Sequence, residues 1–351
     1  MKYLETAKVD PYYNLAFEEY VLKNCRDDDY LILWQNENTI VMGLHQNPYE
    51  EINLSKAEEL KVNIVRRITG GGTVYHDLGN LNYSYITDWN EGRGVDFGKL
   101  LEPVTEAFRE YGLEIELKGR NDLLLDGKKI SGSAQTLAKN RLLQHGTLLI
   151  ASDLELLSGV LHVSPDKFQS KSVKSVRSRV TNIQDYVPFP IDIQGVKDLL
   201  IDYWSRGGAF ENVQLDARAL GQIEKLADEK YRSKEWNFSR SPKCNYKNRK
   251  RFLGGTVEVN LDIADGRIAH CVINGDFLAL QSVSAVEKKL TGMAYEKEKV
   301  VNVLREIPIQ MYFGSITAEE VTSCFFEEKS DFGGNVRHEV IDWYGSGNDG
   351  S

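Results

Sequence analysis

The densest run of chemistry-bearing residues is Arg66-Arg67-Ile68-Thr69-Gly70-Gly71-Gly72-Thr73-Val74-Tyr75-His76-Asp77. Three consecutive glycines leave backbone N–H groups unshielded by side chains, so those amides can converge on an anion. The two arginines offer the planar fork that suits phosphate or carboxylate. A glycine-rich hairpin with solvated arginines is the plain alternative, and for Gly-Gly-Gly alone it would win. Arginines before the glycines and His-Asp after them favour an anion site, although the spacing matches neither a Walker nor a Rossmann fingerprint.

A second run, Gly119-Arg120-Asn121-Asp122, is followed by Gly127-Lys128-Lys129-Ile130-Ser131-Gly132-Ser133-Ala134-Gln135. Asn121 and Asp122 could hold a magnesium ion or bind a purine edge. A lysine opening a strand of small residues could project as a point charge against phosphate. A hairpin turning at Asp126-Gly127 with exposed lysines fits the same pattern equally well. The third run is Leu143-Gln144-His145-Gly146-Thr147, and His145 alone reads more readily as a satisfied structural histidine than as a catalyst.

These runs need elements to hold them. Residues 11–25 suit a helix, with Asp10 as N-cap and Pro11 in the first turn. The β-rich runs 30–34 and 39–43, separated by a polar turn, predict a hairpin. A helix is expected over 49–60, a strand over 62–66 leading into the glycines, and another over 81–86. Residues 97–111 form an amphipathic helical pattern stopped by Gly112. Strands are expected at 113–117, 122–125, 129–131 and 146–150. Residues 166–179 mix lysines, arginines and serines without any period, and predict a mobile basic loop. Helices follow near 192–205 and 216–231. A second basic stretch, 239–251, leads into a hairpin turning at Asp265-Gly266 and helices near 283–290, 296–305 and 317–327. That strand-then-helix unit spans about 100 residues, the size of a small domain.

The whole chain has 351 residues, with 43 Lys plus Arg against 52 Asp plus Glu and a net charge of -9. This length suggests two domains, expected at 1–244 and 245–344 with a frayed tail at 345–351. An acidic balance argues against a dedicated nucleic-acid binder. No apolar run approaches the roughly 20 residues of a membrane span, and no secretory signal follows Met1. Cys25, Cys244, Cys271 and Cys324 show no paired spacing. They read as free thiols in a reducing compartment, so a cytoplasmic protein is expected.

Taken in order, five motifs resemble the lipoate–protein ligase A family: Arg67-x-x-Gly-Gly-Gly-x-Val-Tyr-His-Asp, Gly-Arg-Asn-Asp-Leu, Lys129-Ile-Ser-Gly-Ser-Ala, His145-Gly-Thr-Leu-Leu and Ser175-Val-Arg-Ser-Arg-Val-Thr-Asn182. The upstream Trp34-Gln35-Asn36 and Gln46-Asn47-Pro48 fit too, so the resemblance covers nearly the whole chain. It implies an α+β fold: a large mixed-sheet catalytic domain of the biotin/lipoate-ligase type with a small α+β accessory domain. It also implies activation of lipoic acid by ATP and Mg²⁺ to lipoyl-AMP, then transfer to one lysine of an apo lipoyl domain. The acceptor would be a 2-oxoacid dehydrogenase E2 subunit or a glycine-cleavage H protein.

By the same resemblance, Arg67, Gly72, Thr73, Val74, Tyr75, Asn121 and Asp122 would bind ATP or the adenylate. Lys129 would contact both lipoate carboxyl and phosphate as the catalytic residue, and Asp122 would hold magnesium. Gly71, His76, His145 and Gly146 would bind lipoate, and Lys174, Ser175, Val176 and Arg177 would lie in the loop that closes over the adenylate. Lys129 is preferred to Lys128 because it directly precedes Ile-Ser-Gly. Ser239 stands where relatives often carry glycine, and Ile68 and Thr69 stand where serine is common, so no catalytic hydroxyl is assigned there. The rivals are an octanoyl or lipoyl transferase working through a cysteine thioester, a biotin ligase, and a non-catalytic lipoate-binding protein. A thioester route needs an activated thiol near the pocket, and Cys25 precedes every other cysteine by more than two hundred positions. The biotin-ligase Gly-Arg-Gly-Arg loop is missing, and Lys129 with Arg67 argues against a non-catalytic binder.

Overall fold

The computed structural model describes residues 1–89, 97–119, 121–160, 179–239 and 244–326. Arg120, the basic stretch 166–178 with Lys174, Ser175, Val176 and Arg177, and the tail 345–351 lie outside the described residues.

In chain order the strands are β1 (Lys2–Glu5), β2 (Tyr30–Trp34), β3 (Thr39–Met42), β4 (Asn63–Arg66), β5 (Val74–His76), β6 (Asn80–Asp88) and β7 (Ile115–Lys118). They continue as β8 (Asp122–Leu125), β9 (Lys128–Ala138), β10 (Arg141–Leu149), β11 (Glu211–Asn212), β12 (Tyr246–Phe252), β13 (Gly255–Ala264) and β14 (Arg267–Gly275). Eight of them form one mixed sheet in the order β11-β1-β2-β6-β10-β9-β8-β7. Strand β1 runs parallel to both of its neighbours, and the rest of the sheet is antiparallel.

Alternation along β6 sorts its side chains between two faces. Leu81 and Tyr83 join the core under the helices Phe97–Arg109 and Ile193–Ser205. Asn82 and Ser84 turn to the opposite face, where the Pro11–Asn24 helix packs Leu15, Ala16, Val21 and Leu22 against Ile32, Trp34 and Leu143. On that side a small sheet, β4-β3-β5, closes over the large one. A third sheet, β12-β13-β14, buries Val257, Val259, Leu261 and Ile273 under the helices Ser284–Leu290, Lys297–Glu306 and Ala318–Phe325.

Three expectations are corrected. The runs 30–34 and 39–43 are not a hairpin, since β2 pairs with β1 and β6 while β3 pairs with β4 and β5. Both runs are buried throughout, and a fully apolar run carries no alternation that could say which sheet it enters. The helix over 49–60 is two short helices, Pro48–Glu51 and Leu54–Glu59, because Asn53 caps the second through Lys56 N–H and breaks the first. The basic stretch near 239–251 includes an ordinary strand, β12, whose Lys247 and Arg249 meet Glu50 and Glu258. Ser239 sits at φ -70°, a value open to any residue, so serine in place of glycine strains nothing there.

The segment leaving β14 runs against the glycine loop. Phe277 C=O accepts from Gly71 N–H at 3.1 Å, His45 C=O accepts from Gly275 N–H at 2.9 Å, and Leu280 C=O accepts from Leu137 N–H at 2.9 Å. The His45 and Phe277 rings stack with centroids 5.1 Å apart.

Candidate active site

A cleft of about 620 Å³, counting its open mouth, lies between the large sheet and the β4-β3-β5 sheet. Its walls join residues from distant parts of the chain: Leu15, Trp34, Val41, Arg67, Gly71, Gly72, Thr73, Val74, His76, Asn82, Asn121, Lys129, Ala134, His145, Gly146 and Thr147. That volume suits a small ligand. Leu15, Trp34, Val41, Val74 and Ala134 supply its apolar part.

Lys129 and Asp122 mark the polar end. The Lys129 Nζ lies 2.7 Å from Asp122 Oδ1, and both side chains are about one-third exposed. Strand alternation leaves the adjacent Lys128 on the outer face, exposed. A Cβ at Gly132 would sit 2.8 Å from that Nζ, so the glycine makes room for the lysine to lie back over the strand. Asn121 anchors the turn by donating to Ser133 C=O at 2.7 Å.

The arginines do something other than expected. Arg67 is buried, and its fork donates to Thr69 Oγ1 (2.9 Å), Val41 O (3.1 Å), Gly70 O (2.6 Å) and Gly72 O (2.8 Å). Burial pushes its pKa down to about 10. Arg66 is likewise inside, donating to the carbonyls of Gly43, Leu44, Gln46, Trp236 and Asn237. Arg66 does not line the cleft, whereas Arg67 lines it with its fork engaged by loop carbonyls. Arg67 braces the glycine loop by donating to its Gly70 and Gly72 carbonyls. Gly71 needs its glycine for this, at φ +88°. Gly43 needs its own because a Cβ there would lie 1.9 Å from Gly71 O.

His145 belongs to the same brace. Its Nε2 lies 2.7 Å from Thr69 Oγ1, and its Nδ1 lies 2.8 Å from Glu18 Oε1 on the Pro11–Asn24 helix. Sequence reading passed over Glu18, but a signal existed. Glu18 falls three residues after Leu15 and four before Leu22, on the helix's apolar face, where an unpaired carboxylate would be costly.

His76 faces the cleft, whereas Tyr75 turns away from it, as alternation along β5 requires. The Tyr75 hydroxyl donates to Asn38 Oδ1 at 3.0 Å, and burial pushes its pKa up to about 12. The expected adenylate contact of Tyr75 therefore has only its backbone to use. Burial, reinforced by Arg67 and His145, pushes the His76 imidazole down from 6.5 to about 3. Between those values the unfolded chain binds a proton that the folded chain refuses, so unfolding free energy falls as pH drops through that window. We expect His76→Gln to flatten the slope of stability against pH there by up to about 1.4 kcal/mol per unit. Chemical denaturation at several pH values checks this, and parallel slopes would refute a buried neutral His76.

No cysteine lines the cleft. Cys25 is half-buried with its thiol pKa raised by burial, Cys244 is exposed, and Cys271 and Cys324 are buried. A raised thiol is the reverse of what thioester catalysis needs.

Family models place this architecture. The description "Lipoyl protein ligase A/B catalytic domain" matches residues 10–205, and "Bacterial lipoate protein ligase C-terminus" matches residues 241–325. Lipoate–protein ligase 1 of Staphylococcus aureus is 39% identical over 323 residues, covering 92% of this chain and 98% of that one. The chain belongs to the lipoate–protein ligase family. A bipartite lipoate protein ligase from Thermoplasma acidophilum, described alongside its E2 lipoyl domain, is 30% identical with a TM-score of 0.60 over 70% of this chain and 98% of that one. A lipoate-protein ligase A bound with ATP is 28% identical with a TM-score of 0.59, over 68% and 98%. Membership in this ligase family makes the chain an enzyme. Among the described residues no helix is long and apolar enough to cross a membrane.

Proposed function

We propose the following course for the ATP-dependent lipoylation that this membership carries. A lipoate carboxylate oxygen attacks the α-phosphorus of ATP, the bond to pyrophosphate breaks, and lipoyl-AMP forms. The amine of a lysine on an apo lipoyl domain then attacks the acyl carbon, AMP departs, and an amide remains. The observation that carries this reading is one cleft joining a lone lysine and glycine amides to an apolar slot.

Joining two anions requires fixed positive charge and in-line positioning. Lys129 meets both the carboxylate and the α-phosphate, while Gly72, Thr73 and Val74 offer backbone groups to the phosphates and Gly71 lies on the lipoate side. Asn121 borders the nucleotide, and His76, His145 and Gly146 flank the acyl chain. Arg67 acts through the loop it braces. The residues present also fit magnesium. The Asp122 carboxylate beside Lys129 is about one-third exposed, and magnesium uses one or two carboxylates plus substrate phosphates. Asp122 would be that carboxylate, and the ion would offset phosphate charge. Lys174, Ser175, Val176 and Arg177 complete the adenylate cover. A cytoplasmic location fits an enzyme that consumes ATP. The division into 1–244 and 245–344 fits the separate core beneath β12-β13-β14, and the acceptor would be an E2 subunit or an H protein.

Incubation of the purified chain with ATP, Mg²⁺, lipoate and an apo lipoyl domain, read by mass spectrometry, tests this. Lipoylated acceptor is expected with no second enzyme. A variant with all four cysteines replaced is expected to keep its activity. Acyl transfer from an acyl carrier protein without ATP would overturn the reading.

A further inference from the structure

The backbone that carries Lys129 is held on both edges, and one edge depends on a segment far along the chain. On the first edge β8 pairs with β9 across a bulge. Leu123 and Leu124 are adjacent, yet they face Ser131 and Lys129, so Ile130 is an extra residue. A bulge re-aims the side chain beside it and disrupts the ladder locally. On the second edge β10 pairs with β9 from Ala138 to Ser133 and does not reach Lys129. Residues 179–181 cover that edge instead. Arg179 C=O accepts from Lys129 N–H at 2.8 Å, Lys129 C=O accepts from Thr181 N–H at 3.0 Å, and Val180 lies parallel and opposite Lys129.

The next residue holds 179–181 in place. Asn182 spans the backbone of Ser152 with both ends of its amide. Its Oδ1 accepts from Ser152 N–H and its Nδ2 donates to Ser152 C=O, each at 3.0 Å. Those partners fix the orientation of the amide, since a backbone N–H only donates and a carbonyl only accepts. Just beyond, Ile183 is buried in the core under the large sheet, and Ile150 C=O accepts from Gln184 N–H at 3.1 Å. Asn182 therefore ties the segment paired with Lys129 to the chain leaving β10.

We propose that Asn182 is a positioning residue for adenylate formation: its clamp on Ser152 holds residues 179–181 against Lys129 and so fixes the ammonium beside Asp122. The proposal rests on the ligase reading above. Asn182 does not line the cleft, and it acts through the Lys129 backbone alone. Such placement matters because a misplacement of about 1 Å can cost about 10²-fold in rate.

Pyrophosphate release from ATP and lipoate gives the first test. Asn182→Ala is expected to lower kcat about tenfold while both KM values stay within about threefold. Asn182→Asp keeps the shape but sets a second acceptor against Ser152 C=O, so it is expected to lose as much. Wild-type kcat in Asn182→Asp would reduce the residue to packing and overturn the proposal. Added to Lys129→Ala, Asn182→Ala is expected to cost at most about a further twofold, because both changes strike one function. A further loss of about tenfold there would give Asn182 a separate effect and overturn it.

Amide hydrogen exchange in the wild type needs no substitution, so it decides the matter even if a variant fails to fold. The Lys129 and Thr181 amides are expected to be protected at least about tenfold over unpaired amides, and to lose that protection in Asn182→Ala while Leu143 of β10 keeps its own. Free exchange at either amide of an active wild type overturns this proposal alone. A wild type that releases no pyrophosphate defeats the ligase reading with it.

Discussion

Lys129→Ala is expected to lower adenylate formation by at least about 10²–10³-fold, the loss seen when one preorganised charge-stabilising donor is removed from an active site. Stability is expected to stay within about 1 kcal/mol, because its ion pair with Asp122 is about one-third exposed on both sides and such pairs contribute little. Pyrophosphate release from ATP and lipoate, alongside a denaturation curve, separates the two effects. Lys129→Arg is expected to restore little, since a bulky planar fork does not replace a compact ammonium lying against the backbone at Gly132. Release within threefold of wild type would remove Lys129 from the reaction.

Arg67→Ala is expected to fail differently. The substitution strips a donor from the buried Val41 and Gly70 carbonyls and from Thr69, and from the carbonyl of the exposed Gly72. Each buried group left unpaired costs about 1–3 kcal/mol. Incomplete relaxation and entering water reduce the sum, so a loss of about 3–5 kcal/mol is expected. Activity falls with it because the glycine loop loses its brace. Arg67→Lys is not expected to rescue, since an ammonium cannot span four acceptors arranged around a plane. An Arg67→Ala enzyme with unchanged stability and a selectively raised KM for ATP would instead make Arg67 a phosphate ligand.

The contrast between these two cations shows where sequence reading reached its limit. Arg66, Arg67, Lys128 and Lys129 are alike on paper, each beside glycines or small residues that suggest an anion. The Ile-Ser-Gly motif that follows Lys129 distinguishes it from Lys128, and that much was legible. Nothing local says that a guanidinium will find four carbonyl or hydroxyl acceptors inside, because Val41 and Arg67 are joined only when β3 and β4 pair. Glu18 shows a partial signal: its place on an apolar helix face announces a buried carboxylate, but not that His145 will meet it. The false hairpin at 30–43 has the same origin. Two uniformly buried runs look like neighbours, and only the competition among partner strands assigns them to different sheets.

By itself the sequence determined the family, the order of its motifs, and the placement of cysteines that disfavours thioester chemistry. These depend on residue type and short spacing, which covalent connectivity preserves. The tertiary structure alone decided which cations line the cleft and which residues form the apolar slot. Those properties depend on hydrogen-bond partners far apart in the chain, such as Glu18 with His145 and Asn14 with Asn36. Backbone carbonyls satisfied across sheets and loops set them, and no local pattern records those pairings.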